Sequence, residues 1–210
     1  MKLVLAIAAT VIATAACNGK DAAVASASTN VGADAALHGP GYVVDSALPP
    51  EETLRRFRMG LDSVTRFDDG ATHSRNALVQ RFARALSKGD TAALRGMSLS
   101  RAEFAHLYFP STQYIRPPYM TPPDVLWQLM HTRSESGMKR LVARVGGREM
   151  RVAGYDCEST PEVEGVNRLY EQCTIRFRRA ATDSVERRRL FGSIIERDGR
   201  YKFVSYANDF

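Results

Sequence analysis

Metal-binding and nucleotide-binding signatures are absent from this chain. Its 210 residues hold three cysteines, four histidines and one tryptophan. There is no His-Glu-x-x-His and no Cys-x-x-Cys, so the common zinc sites lack a ligand set and no metal is expected. Gly-x-Gly-x-x-Gly, the phosphate-loop pattern and Gly-x-Ser-x-Gly are missing too, and no cofactor is expected. No apolar run approaches the ~20 residues of a membrane-spanning helix, and no internal repeat is visible. Charge of one sign is also lacking. Lys and Arg number 29 against 23 Asp and Glu, a net +6. That balance is too modest and too mixed to argue for nucleic acid.

What is there begins with a leader. Lys2 gives a minimal positive end, Leu3–Ala13 a short apolar stretch, and small residues lead to Cys17. Residues 1–16 are expected to be a signal peptide. Thr14-Ala15-Ala16-Cys17 resembles a bacterial lipobox, although Thr14 stands where that pattern usually has Leu. The resemblance implies lipidation of Cys17 and a place on the periplasmic side of a bacterial envelope. Cleavage after Ala15 or Ala27, giving a soluble periplasmic or secreted protein, stays open. Residues 17–47 are rich in Ala, Ser, Thr, Gly and Asn and read as a flexible tether. Residues 48–210 remain, a normal size for one domain.

Helices come first in that domain. Leu48-Pro49-Pro50 and Glu51-Glu52 suit a helix start, and Leu54, Phe57, Leu61 and Val64 predict a helix from Glu51 to Phe67. Leu78, Val79, Phe82, Ala83 and Leu86 form a stripe on a helix over Asn76–Lys88, with Gly89 as its C-cap. Asp90 can cap a short helix through Leu94. Ser100-Arg-Ala-Glu103 is a capping box, and Pro110 stops the helix it opens. Pro110 to Pro123 holds five of the nine prolines, which excludes a sheet centre or a helix interior. Thr121 is expected to cap a helix whose Val125, Leu126, Leu129 and Met130 face the core. A separate helix is expected over Ser136–Val145, ended by Gly146-Gly147.

Strands follow. Met150 to Phe177 reads as two strands folded back on each other, with Gly165 midway between Cys157 and Cys173. A hairpin turning there sets Cys157 opposite Cys173, as a cross-strand disulfide requires, and implies an oxidising compartment. The same register sets Tyr155 against Ile175 and Ala153 against Phe177. Arg187–Arg197 and Arg200–Ala207 are joined by Asp198-Gly199, a strong two-residue turn. Ile194 then faces Phe203, and Ile195 faces Lys202. Gly154 and Gly192 are expected bend or bulge sites.

Helices ahead of a curved antiparallel sheet make an α+β domain with helices on one face. Ala77–Leu94 and Gly192–Phe203 resemble the opening helix and last strand pair of the NTF2-like, or SnoaL-like, superfamily of cone-shaped domains, over about residues 72–210. The resemblance implies a pocket inside the cone and frequent sheet-mediated homodimers. It also implies a pocket Asp, His or Tyr in catalytic members. Residues that could line such a pocket are His106, Tyr108, Tyr114, Tyr119, Trp127, His131, Tyr155 and Phe177.

His131 with Asp156 is the sharpest enzymatic reading, a general base with its orienting acid. Ser136-Gly-Met-Lys139 has a Ser-x-x-Lys spacing, but no companion motif follows and chance explains it better. Arg176, Arg178, Arg187, Arg188 and Arg189 lie on neighbouring strands, and those facing outward could meet phosphate headgroups or an acidic partner. The leading expectation is a membrane-anchored, non-enzymatic domain that binds a small apolar ligand or an envelope protein. The alternative is an isomerase or lyase with a pocket His or Asp as base.

Overall fold

Local sequence signals set most helix boundaries in the computed structural model, which describes residues 48–179 and 184–210. The expected signal peptide, Cys17 and the tether lie outside the described residues. Helix α1, Pro50–Arg58, carries Glu51 and Glu52 in its first turn, and Glu52 pairs with Arg55 and Arg56. It does not run to Phe67 as the spacing predicts. Gly60 takes a left-handed φ of 77°, and the chain leaves the helix there. Phe67 still reaches the core, from an irregular segment.

Helix α2, Arg75–Lys88, buries the predicted stripe of Leu78, Val79, Phe82, Ala83 and Leu86. Ser74 accepts from the Ala77 amide at its start, and Gly89 closes it with a φ of 67°. Asp90 caps α3, Thr91–Gly96. Both halves of the Ser100–Glu103 capping box form at α4, Arg101–Glu103. This helix runs on into a π-helical turn, Phe104–Tyr108, then 3-10 turns at Phe109–Ser111 and Gln113–Ile115.

The two helices expected after the proline segment are one. Helix α5 is continuous from Pro123 to Val145, 23 residues, and no side chain caps its start, so Thr121 is not its cap. Gly137 does not break it but lets it approach the C-terminal segment. A Cβ there would lie 2.0 Å from the Tyr206 carbonyl oxygen. Leu126 is buried, whereas Val125 and Leu129 are exposed. The predicted inward stripe is therefore narrower than its spacing suggests.

The strands are β1 Met150–Asp156, β2 Glu162–Glu164, β3 Asn167–Tyr170, β4 Thr174–Arg179, β5 Val185–Arg188, β6 Ile194–Arg197 and β7 Arg200–Phe203. They make two antiparallel sheets, β1-β4-β5 and β2-β3-β6-β7, rather than the single curved sheet expected. The domain is α+β. Asp156 pairs with Thr174, and the next pair outward is the Cys157–Cys173 disulfide. Tyr155 opposes Ile175 as predicted, but Phe177 opposes Val152, because the register shifts between Val152 and Gly154. Between the cysteines the chain folds into its own β2–β3 hairpin and joins the other sheet through β6. The long strand expected over Arg187–Arg197 is split, with Gly192 in the crossing segment between the sheets. Asp198-Gly199 turns as predicted, with φ of 51° and 71°, and Ile195 opposes Lys202.

Two apolar clusters hold these layers. The larger centres on Phe82, which makes edge contacts with Phe191 and Phe203 at 5.3 and 5.6 Å and stacks on Tyr206. The smaller gathers Phe57, Tyr108, Phe109 and Trp127 around Phe104. Phe82, Phe177, Phe191, Phe203 and Tyr206 are all fully buried, so the space between α2 and the sheets is packed with side chains.

Candidate functional site

Where α5 passes the end of α3 and the start of α4, a cleft of about 340 Å³ is left open. Its platform comes from α5. Trp127 and His131 stand one turn apart, and their rings stack with centroids 5.1 Å apart and planes 17° from parallel. Leu99, Met130 and Val204 add apolar surface. One turn beyond His131, Glu135 accepts a two-pronged grip from Arg95, with contacts of 3.0 to 3.3 Å. Arg95 holds the Glu135 carboxyl below its ordinary range. Burial opposes this, and His131 and Lys139 add smaller electrostatic contributions. Arg101, at the rim, lies over the Phe57 ring at 4.7 Å.

Beside the cleft a charge cluster gathers the buried Lys202 and Glu103 with the exposed Asp68, which lines the cleft. Lys202 is fully buried on β7, and its ammonium donates to Glu103 Oε2 at 2.8 Å and meets Asp68 Oδ1 at 2.7 Å. Glu103 also accepts the Asp68 amide on Oε1 and the Ser100 amide on Oε2, each at 2.8 Å. One carboxylate thus ties the capping box, the segment after α1 and the last strand together. Two sequence signals pointed here: Glu103 as a capping residue, and a lysine paired with Ile195 in the register of the Asp198-Gly199 turn. A charge on an apolar strand face needs a partner. What the sequence did not disclose is that each was the other's partner.

The predicted site residues do not share one space. Trp127 and His131 line the cleft. Tyr108, Tyr114 and Tyr119 line a second depression of about 380 Å³, with Tyr114 and Tyr119 rings 5.4 Å apart. Met130 and Val204 border both. Burial pushes the Tyr108 hydroxyl well above its ordinary value. Phe177 is core. Tyr155 is half-buried on β1, and burial raises its hydroxyl as well. Asp156, next to Tyr155 at the end of β1, lies 3.4 Å from Arg176 and is not among the residues of the His131 cleft. The carboxylates that share the cleft with His131 are Asp68 and Glu135.

His106 stands on the π-helical turn with Nε2 buried and unpartnered. Burial, then the nearby Arg58 charge, lowers its pKa from the ordinary 6.5. The folded state therefore binds a proton less readily than the unfolded chain. His106 contributes stability above the unfolded value, and that stability is lost as the pH falls through the folded one. Urea melts of the wild type and His106→Leu are expected to diverge on acidification from about pH 6.5, with the variant losing less. Parallel pH curves would refute the assignment.

A second polar cluster was not legible in the sequence. Asn167 donates to the Leu107 carbonyl at 2.8 Å and to Ser111 Oγ at 2.9 Å, and Arg197 donates to the same carbonyl at 3.2 Å. Glu164 Oε1 accepts from Thr112 Oγ1 and from the Gln113 amide. These contacts fix the β2–β3 hairpin to the proline segment. Among the described residues, no three of His, Cys, Asp and Glu stand close enough to hold a metal ion. No described helix is long and apolar enough to cross a membrane.

Chemically, the cleft offers a flat aromatic face, an apolar floor and a rim of charges. Glu135 is engaged by Arg95 and Asp68 by Lys202, and their ion pairs go to those cations rather than to the imidazole. Compared with known proteins, the chain matches no protein-family model, no curated protein and no solved structure.

Proposed function

We propose that residues 48–210 form a non-catalytic binding domain of an exported, membrane-anchored protein. Its ligand is a small, largely apolar molecule with a flat group. The stacked Trp127–His131 pair at the wall of an open cleft carries this reading, because an aromatic face next to Leu99, Met130 and Val204 is suited to a ring. The NTF2-like resemblance alone would put the ligand inside a cone. The packed Phe82–Phe191–Phe203–Tyr206 interior favours the surface cleft instead. The enzymatic alternative, His131 as a general base, has less support, since the cleft's acids are held by Arg95 and Lys202.

The test is native mass spectrometry of the protein purified from its own host, followed by titration of the co-purifying ligand. Trp127 is the chain's only tryptophan, so its emission reports on the cleft directly. Binding is expected to shift that emission. Trp127→Ala, followed by calorimetry, is expected to weaken binding about tenfold or more. A ligand whose affinity is indifferent to Trp127, or a turnover abolished by His131→Gln, would displace the proposal.

A further inference from the structure

The hollow lined by Tyr108, Tyr114 and Tyr119 differs in kind from the Trp127 cleft. The Tyr114 and Tyr119 rings stand 5.4 Å apart with their planes 59° from each other. Rings so tilted make a corner, where the Trp127–His131 stack makes a platform. A corner suits a compact, rounded group better than a flat one. Tyr108, almost fully buried, adds a third ring. Each phenol carries negative charge density on its face, and several such rings around one space favour a cation. Two charged side chains line the same hollow, Glu171 and Arg133. Glu171 Oε1 accepts from Ser193 Oγ at 3.2 Å, a neutral donor. Among the described residues Glu171 has no cationic partner and Arg133 no acidic one, and the two do not pair with each other. The acids of the Trp127 cleft, by contrast, are held by Arg95 and Lys202.

More negative charge stands near the tyrosines. Glu162 and Glu164 lie two apart on β2 and so share a face. After burial, their charges add to the upward push on the Tyr108 hydroxyl. Their partners are neutral as well. Gln113 Nε2 donates to Glu162 at 3.5 Å, and Thr112 Oγ1 and the Gln113 amide donate to Glu164 Oε1. Glu164 is buried, and its Oε2 has no partner among the described residues. Glu162 is held above its ordinary range, by desolvation first and then by Glu164 and Glu171. Three carboxylates in electrostatic contact through Glu162, with no cation among their partners, leave this end of the hollow short of positive charge.

We propose that the tyrosine hollow binds a small zwitterion of the betaine type, a quaternary ammonium joined to a carboxylate. The ammonium sits against the Tyr114–Tyr119 corner and is balanced by Glu171. The carboxylate goes to Arg133, whose guanidinium can donate two parallel hydrogen bonds to such a group. Arg133 counts against a bare cation, and the tyrosines and acids count against a bare anion. The inference does not rest on ligand binding at the Trp127 cleft, although Met130 and Val204 border both spaces.

Full-length protein is titrated with glycine betaine and with the longer γ-butyrobetaine, read by calorimetry and ligand-observed NMR. Two comparison probes accompany them. Choline keeps the ammonium and lacks the carboxylate. In 3,3-dimethylbutyrate carbon replaces the charged nitrogen of glycine betaine at the same shape. At least one betaine is expected to bind, with the carbon analogue about tenfold or more weaker and choline about fivefold weaker. Tyr114→Leu and Tyr119→Leu are each expected to weaken the betaine about fivefold. Arg133→Gln is expected to bring the betaine down to the level of choline. Arg140→Gln, at another exposed arginine of α5, is expected to change nothing. Tyr119 and Arg133 are exposed, so changes there spare the core, and circular dichroism checks each variant. If Tyr114→Leu misfolds, the four probes on the wild type still decide. Binding of neither betaine overturns the proposal, as does a carbon analogue that binds equally well. Choline bound as tightly as the better betaine overturns it and marks a plain cation site. Equal losses in Arg140→Gln and Arg133→Gln, or full affinity in both tyrosine variants, overturn it as well.

Discussion

Replacing Glu103 with alanine is expected to lower the free energy of unfolding by about 3–5 kcal/mol. The side chain is almost fully buried and accepts from three donors: the Asp68 amide, the Ser100 amide and the Lys202 ammonium. Alanine removes all three acceptor contacts, and a donor left dry costs more than its bond contributed. The loss is not a measure of the ion pair itself, whose attraction is largely offset by desolvation. Lys202→Met separates the two effects. It keeps most of the stem's volume and leaves Glu103 with both amide partners, so it is expected to cost about 1–3 kcal/mol. Urea titrations followed by far-UV circular dichroism give both numbers. A Lys202→Met loss equal to or larger than that of Glu103→Ala would show that the carboxylate is not the hub described here.

Opening the Cys157–Cys173 bridge is expected to cost about 3 kcal/mol, the chain-entropy value for a loop of about this length. The cysteines are 16 positions apart, and the segment between them is not a simple turn. It holds β2 and β3, which pair in the other sheet. The bridge therefore fastens the two points where the chain leaves the β1–β4 ladder and returns to it. Cys157→Ser with Cys173→Ser should lower the urea midpoint, and reductant should bring the wild type to the same midpoint without moving the variant further. A double variant as stable as the oxidised wild type would mean that the β1–β4 pairing needs no such fastening.

The disulfide was legible because only two cysteines stand among residues 48–210, with a turn-forming glycine midway between them. Its surroundings were not. Hairpin counting assumes that everything between two paired residues belongs to one ladder. Glu162–Tyr170 breaks that assumption by finding its partner in Ile194–Arg197. The Ala153–Phe177 pairing failed for a related reason, since an irregularity before Gly154 moves one strand by a residue. Helix starts were readable from Asp90 and the Ser100–Glu103 box, because side-chain caps act locally. The end of α1 was not, because Leu61 and Val64 kept a helical spacing after Gly60 had already turned the chain. Of the candidate site, the sequence showed that Trp127 and His131 share one side of a helix. Arg95, Glu135 and Asp68 come from three separated segments. No spacing within any one of them discloses that they meet.

Met130 and Val204 form a shared partition between two hollows of similar size. A bulkier group at either position narrows both, and a smaller one widens both. Methionine suits such a wall, because its unbranched thioether can lean to either side at little cost. The two chambers cannot be resized independently from these positions, so selectivity in one is mechanically linked to the shape of the other.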